Sequence, residues 1–217
     1  MKNIIQNIRR LFFDNSCTCC GEKASDNLIY LCYNCLDKIV RQKSLNKVGD
    51  TYYIWPYKGE FRKLLLEYKN NSRLALGKII SSLIEEEIFK VVYEEDIDYI
   101  VPIPINFRRE QIRGFNQVEE ILKNLNYSFL KTNRVKNTKK MFKILDKEKR
   151  ENNIKNSFKV DKEFKAKNIL IFDDIITTGV TIEEFKRELI KNGEVNKIVV
   201  FSLSASKTYM NSNKRMC

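Results

Sequence analysis

Two short stretches of this chain hold side chains at spacings that do chemistry. The first reads Cys17-Thr-Cys19-Cys20-Gly21 and, a short loop later, Cys32-Tyr-Asn-Cys35. Cys17/Cys20 and Cys32/Cys35 form two C-x-x-C pairs, the pattern of a tetrahedral thiolate zinc site. Two intervening residues let both sulfurs of a turn face one ion, and Gly21 permits the tight backbone after the second ligand. Four filled positions leave no open coordination site, so the expected Zn²⁺ is structural and folds a segment too small to hold its own core. Disulfides are the competing reading, but a chain without an export signal is expected in a reducing compartment. Cys19 either substitutes for a neighbouring ligand or remains a thiol.

The second stretch runs Ile169-Leu-Ile-Phe-Asp173-Asp174-Ile-Ile-Thr177-Thr178-Gly179-Val180-Thr181. An apolar strand delivers two carboxylates to its carboxyl end, where open α/β sheets bind ligands. A loop of hydroxyls and one glycine then opens a helix. Backbone N–H groups from Thr177 to Thr181, the threonine hydroxyls and the helix N-terminus cradle a phosphate in this reading. Gly179 lets the backbone approach closely. The carboxylates accept hydrogen bonds from a diol or contact a hydrated Mg²⁺. Phosphate and diol together mean a ribose phosphate. The alternative is a strand-to-helix turn with a capping threonine and two solvent-facing acids.

Histidine is absent from all 217 residues, which excludes Ser-His-Asp triads, Cys-His dyads and imidazole-ligated metals. A net charge of +12, from 40 Lys+Arg and 28 Asp+Glu, points to an anionic partner. A solvated lysine-rich surface would give the same sum. The 43% hydrophobic content excludes a disordered chain. No apolar run reaches the roughly 18 residues of a spanning helix. Met1 to Phe13 reads as a short amphipathic helix rather than a signal sequence, which makes the expected location cytoplasmic.

Alternating strands and helices must position these groups. The cysteine segment hands over to a helical turn at 36–40 and a polar linker at 41–50. A strand follows at 52–57, helices at 60–69 and 73–90, and a short buried strand at 98–101. Helical periodicity resumes from Gly114 to Leu125, with a strand at 127–130. Residues 131–150 hold nine Lys/Arg against two Asp/Glu and read as a basic connector. Then come the strand ending at Asp174, a helix over about 180–192, a closing strand at 198–202 and a frayed tail after Lys207. This order predicts an α/β domain with a mostly parallel sheet over 49–217, preceded by a zinc-binding unit over 1–48. Arg108, Arg109 and Arg113, just beyond a strand end, suit a pyrophosphate, because guanidinium forks match phosphate oxygens.

The run from Ile169 to Thr181 resembles the phosphoribosyl-pyrophosphate motif of type I phosphoribosyltransferases. That resemblance implies ribose-hydroxyl contacts for Asp173 and Asp174 and a 5′-phosphate site at Thr177, Thr178, Gly179, Val180 and Thr181. Three more groups narrow it: Val101-Pro-Ile-Pro104; Arg108-Arg109 with Arg113-Gly-Phe-Asn-Gln117; and Tyr57-Lys-Gly59 through Tyr68-Lys69. With the paired C-x-x-C motifs they are similar, in motif order from about Cys17 to Ser202, to the ComF family of competence proteins. The implied fold is a type I phosphoribosyltransferase-like sheet flanked by helices, with a small N-terminal zinc-binding domain of four cysteine ligands. The implied ligand is phosphoribosyl pyrophosphate with Mg²⁺, its pyrophosphate at Arg113 and Gly114, joined by Arg109 and Lys69. A Thr-x-x-Gln segment typical of the family is not matched, because Phe142 stands where the Gln belongs, while Arg150, Asn153 and Phe158 keep the spacing that follows.

The resemblance also implies a role in uptake of transforming DNA beside a helicase-like partner at the cytoplasmic side of the membrane. The basic connector adds an expectation of single-stranded DNA binding. Two other functions stay open. One is a salvage phosphoribosyltransferase, whose pyrophosphate displacement needs little side-chain acid–base chemistry. The other is a ligand-sensing adaptor that contacts the helicase through the knuckle. No recognition element for a purine, pyrimidine or amine acceptor is legible.

Overall fold

Residues 164–205 build the centre of the molecule because their apolar side chains are covered on both faces. A computed structural model describes residues 16–70, 73–136 and 152–213. Its elements, in chain order, begin with α1 (Tyr33–Arg41), β1 (Asn46–Val48), β2 (Thr51–Pro56), α2 (Gly59–Asn70) and α3 (Leu74–Glu94). Then follow β3 (Tyr99–Pro102), α4 (Phe107–Arg113), α5 (Gln117–Asn124), β4 (Asn133–Arg134) and β5 (Phe158–Lys159). The chain continues through β6 (Phe164–Ile176), α6 (Val180–Lys191), β7 (Gly193–Ala205) and α7 (Lys207–Asn213).

The main sheet has the order β1-β2-β7-β6-β3. All neighbours are parallel except the edge pair β1 and β2. This is the mostly parallel α/β sheet flanked by helices that the alternation predicts. β6 shows why: Leu170 and Phe172 pack into one core layer, Ile169 and Ile171 into the other. A strand buried on both faces reads as a continuous apolar run, which is how parallel sheets appear in sequence. Side chains of α2, α3 and α5 cover the first face; Ile182, Phe185 and Leu189 of α6 cover the second.

The cysteine segment shares the first layer. Cys17, Cys19, Leu31, Cys32, Cys35 and Ile39 belong to one cluster with Trp55 and Phe61. The Trp55 indole N–H donates to the Ile39 carbonyl at 2.9 Å, and its ring stacks on Phe61 at 3.9 Å between centroids. Burying such a side chain contributes about 1.5–3 kcal/mol.

Several sequence expectations are corrected. The helical pattern from Gly114 to Leu125 is two helices: Gly114, at φ 80°, is the left-handed cap that ends α4, and α5 starts only at Gln117. Residues 127–130 are not a strand; apart from one Leu130 N–H to Ile100 carbonyl bond they run outside the ladders. The linker at 41–50 contains β1, whose antiparallel pairing with β2 gives a polar edge strand little apolar signature. Over Lys207–Asn213 the chain forms α7 instead of fraying, with Tyr209 anchored to Thr51, while residues 214–217 lie outside the described residues. The amphipathic segment 1–13, residues 137–150 with Phe142 and Arg150, and Cys217 lie outside the described residues.

Candidate functional site

The candidate metal centre is assembled locally. Glu22 O accepts from Cys17 N–H at 2.6 Å and Cys17 O from Gly21 N–H at 2.8 Å, closing a tight turn around Gly21, whose φ is 81°. Cys32 caps α1, its sulfur accepting from the Cys35 N–H at 3.5 Å. The sulfurs of Cys17, Cys20, Cys32 and Cys35 all lie within 4.8 Å of one another. A tetrahedral ion with Zn–S near 2.3 Å sets sulfurs about 3.8 Å apart. Cys20 and Cys32 sulfurs stand 3.7 Å apart, which matches that spacing and is far beyond a disulfide bond of about 2.05 Å. Burial disfavours the Cys17 thiolate, but backbone N–H bonds from Cys20, Cys32 and Cys19 outweigh it and bring that thiol down to about 6. A four-thiolate set of this geometry can hold a structural metal such as zinc.

Cys19 is not a member of the set. It is 4% exposed, and its sulfur donates to the Glu60 carbonyl at 3.4 Å. Burial raises its thiol to about 11, the opposite of what a metal-ready thiolate needs. The Lys63 ammonium donates to the Cys19 carbonyl at 2.6 Å, so the residue docks the knuckle on α2.

The second site is a cleft of about 690 Å³ above the carboxyl ends of β3 and β6. β6 carries Asp173 and Asp174 between the core residues Phe172 and Ile176, so the strand runs two residues beyond the acids, with Asp173 in register with Ser202 on β7. The Asp174 N–H donates to the Asp173 carboxylate at 2.8 Å, fixing its rotamer. Beyond β3, Ile103 to Ile105 cross the rim, and Asn106 caps α4 by accepting from the Arg108 N–H at 3.0 Å. One turn apart on that helix, Arg109 and Arg113 share a face and both reach the cleft. Gln117 orients Arg113 by accepting from its guanidinium at 2.7 Å, while its carbonyl accepts from the buried Tyr68 hydroxyl at 2.9 Å.

Five cations line this cleft against two carboxylates: Arg62, Lys69, Arg109, Arg113 and Arg134 face Asp173 and Asp174. Lys69 pairs with Asp174 at 2.7 Å, both side chains being more than four-fifths buried. Burial, then the Asp174 charge, push the Asp173 carboxyl up to about 7, against the opposing pull of Lys69. Burial lowers Arg109 and Arg113, and it brings Arg134 down to about 10 with repulsion from Arg109 adding to it. A polyanion in the cleft would favour the charged form of all three.

Of the residues singled out from sequence, Lys69, Arg109, Arg113, Asp173, Asp174, Thr177 and Thr181 come together on the cleft wall. Gly114 is the exposed cap of α4 and is not on that wall. Thr178 is partly buried in the loop, Gly179 is the left-handed N-cap of α6 at φ 79°, and Val180 is core at 7% exposure. Arg108 points to solvent. Arg134, Arg62 and the Tyr57 ring that Arg62 covers at 5.4 Å join the cleft without having been singled out for ligand binding. Nothing in the spacing distinguishes Arg134 from its basic neighbours; only the β4–β5 ladder turns it inward.

No family model matches the chain. It is 26% identical over 186 residues to the DNA utilization protein YhgH of Escherichia coli K12, spanning 82% of this chain and 78% of that protein. It is 27% identical over 202 residues to competence protein F of Haemophilus influenzae, spanning 85% and 83%. Over 161 residues it is 30% identical to competence protein ComFC of Streptococcus pneumoniae, spanning 69% of this chain and 66% of that protein. Two C-x-x-C pairs that converge on one metal-sized site, a mostly parallel sheet that carries paired acids on β6 and these relatives agree: the chain belongs to the ComF family.

Proposed function

We propose that the cleft binds phosphoribosyl pyrophosphate with Mg²⁺, and that the protein acts in uptake or processing of transforming DNA. The observation that carries the ligand is the charge arrangement of the cleft, five cations around two carboxylates beside a threonine loop at a helix start. In this reading Thr177 to Thr181 hold the 5′-phosphate, the acids take the ribose diol, and Arg109, Arg113 and Lys69 take the pyrophosphate. Two carboxylates are too few to cage Mg²⁺ alone, so the ion would be held mainly by phosphate oxygens and water, with the acids completing its shell. Ligand entry separates Lys69 from Asp174 and exchanges one neutral pair for two ligand contacts.

The names of the YhgH, competence protein F and ComFC relatives support the DNA role. A net charge of +12 and the basic stretch 131–150 support contact with single strands. The test is calorimetric titration of zinc-loaded protein with phosphoribosyl pyrophosphate and Mg²⁺, beside the Asp173→Asn/Asp174→Asn double variant. Binding that the variant loses is the expected result; a wild-type protein that takes up no ligand overturns it. For DNA, affinity for single strands should fall steeply with salt, with a slope that shrinks when Lys or Arg residues are removed.

One observation favours a docking role for the knuckle as well. Ile29, Tyr33 and Val40 are 51%, 58% and 46% exposed there. Contact with a helicase-like partner through this face should survive the double Asp variant and fail in Tyr33→Ala. The opposite pattern sinks that reading.

A further inference from the structure

The C-terminal helix lies behind the threonine loop rather than trailing from the domain. Where β7 ends, the Ser206 N–H donates to the Ile176 carbonyl at 2.9 Å, and the Ser206 hydroxyl donates to the Thr177 carbonyl at 2.6 Å. That hydroxyl also accepts from the Tyr209 N–H at 3.2 Å, so one side chain both opens α7 and holds the loop. The Tyr209 ring then covers Gly179 so closely that a Cβ there would stand 3.2 Å from it. Its hydroxyl bonds the Thr51 hydroxyl at 2.8 Å, anchoring the ring to β2 across the sheet. Thr51 is 1% exposed, which makes the anchor rigid.

The loop therefore has two sides. Thr177 and Thr181 face the cleft, and Ser206 and Tyr209 back the same few residues from behind. Gly179 at φ 79° can adopt several conformations by itself, since glycine visits both signs of φ at little cost. A loop that binds phosphate through backbone N–H groups needs one of them held in advance. We propose that Ser206 and Tyr209 are positioning residues for the phosphate loop, which makes α7 part of the ligand site. This inference rests on the 5′-phosphate reading of the Thr177–Thr181 loop. Neither residue touches ligand in it; they fix the direction of the Thr177–Gly179 backbone.

The arrangement separates two halves of the ligand. The loop serves a sugar phosphate, whereas the arginines of α4 serve a pyrophosphate from a separate element of the cleft wall. Full-length, zinc-loaded protein would be titrated with ribose 5-phosphate and, separately, with inorganic pyrophosphate and Mg²⁺. Tyr209→Ala should weaken ribose 5-phosphate by about tenfold or more, since small misplacements of binding groups cost that much, and leave pyrophosphate within about twofold. Tyr209→Phe, which keeps the ring, should recover most of the loss, and Ser206→Ala should fall between. Equal weakening of both ligands, or undiminished ribose 5-phosphate binding in Tyr209→Ala, overturns the proposal. Hydrogen exchange of the 177–181 amides keeps the test independent of the ligand. If the wild type binds neither probe, the phosphate reading fails, and faster exchange in Tyr209→Ala still decides whether α7 holds the loop.

Discussion

In the cysteine knuckle every ligand comes from the stretch between Cys17 and Cys35, whereas the cleft draws on Lys69 of α2, Arg109 and Arg113 of α4, Arg134 of β4 and the acids of β6. The knuckle gathers groups of one charge sign. Burial and the neighbouring sulfurs raise the Cys35 thiol, so holding all four cysteines as thiolates would call for a cation. The cleft gathers both signs: Lys69 pairs with Asp174, and Gln117 holds Arg113. The cysteine segment packs on the core layer of Trp55 and Phe61, whereas the cleft stands on strands β3 and β6 of the sheet. The two meet at α2, where Lys63 bonds Cys19 near one end and Lys69 reaches Asp174 near the other.

Metal removal is the strongest way to break this contrast. Structural zinc in small modules contributes on the order of 10 kcal/mol of coupled folding free energy. Chelation, or Cys35→Ser, should unfold the knuckle, expose Trp55 and lower the unfolding temperature, as followed by tryptophan fluorescence. If α2 joins the sites, phosphoribosyl pyrophosphate affinity also drops; an unchanged affinity would make them independent.

Protonation probes the cleft alone. Burial and the Asp174 charge raise the Asp173 carboxyl to about 7, above its unfolded value, so its relative contribution to stability is greatest below about pH 4 and is lost as pH rises towards 7. Asp173→Asn should therefore match the wild type in acid and exceed its stability by up to about 4 kcal/mol at about pH 8. Denaturant titrations at both pH values check this, and zinc content should not move.

Gly77→Ala on α3 tests the shared helix α2 more gently, through its neighbour Tyr68. A Cβ there would lie 2.9 Å from the ring and hydroxyl of Tyr68, which is fully buried beside Lys69. Overpacking by one methyl costs about 1–3 kcal/mol, and the better helix propensity of alanine offsets part of it. We expect a net loss of about 1 kcal/mol in chemical denaturation, with weaker ligand binding and unaltered zinc stoichiometry.

The smallest effect belongs to a site outside both regions. Lys47, Tyr52 and Lys197 hydrogen-bond the Glu95 carboxylate and hold it down at about 2. Its stabilisation is complete above the usual glutamate range and disappears as pH falls towards 2. Glu95→Gln should cost about 1 kcal/mol at neutral pH and leave both metal and ligand binding as they are. A change in either would mean that the two sites are coupled through the whole sheet rather than through α2.

How much was legible follows the same division. The C-x-x-C pairs were readable because their geometry is set within single turns, and the apolar strand with its acids and threonines because they are contiguous in β6 and the start of α6. The helix over Gly114 was misread because periodicity does not register a cap; only the positive φ at Gly114 does. The tail was misread because polar composition concealed one anchoring tyrosine, whose partner Thr51 stands 158 positions earlier in the chain.

By itself, then, the sequence determined the alternation of strands and helices, the metal-ready cysteines and the acid–threonine run, since each depends on residues a few positions apart. The tertiary structure decided which charges meet. The sheet order β1-β2-β7-β6-β3 brings β3 and β6 side by side, so Arg109 and Arg113 face Asp173 and Asp174. The short β4–β5 ladder turns Arg134 inward, and the end of β7 sets Ser206 behind Thr177. Contacts across such sequence separations are fixed by strand pairing and shared core burial, which no local pattern encodes.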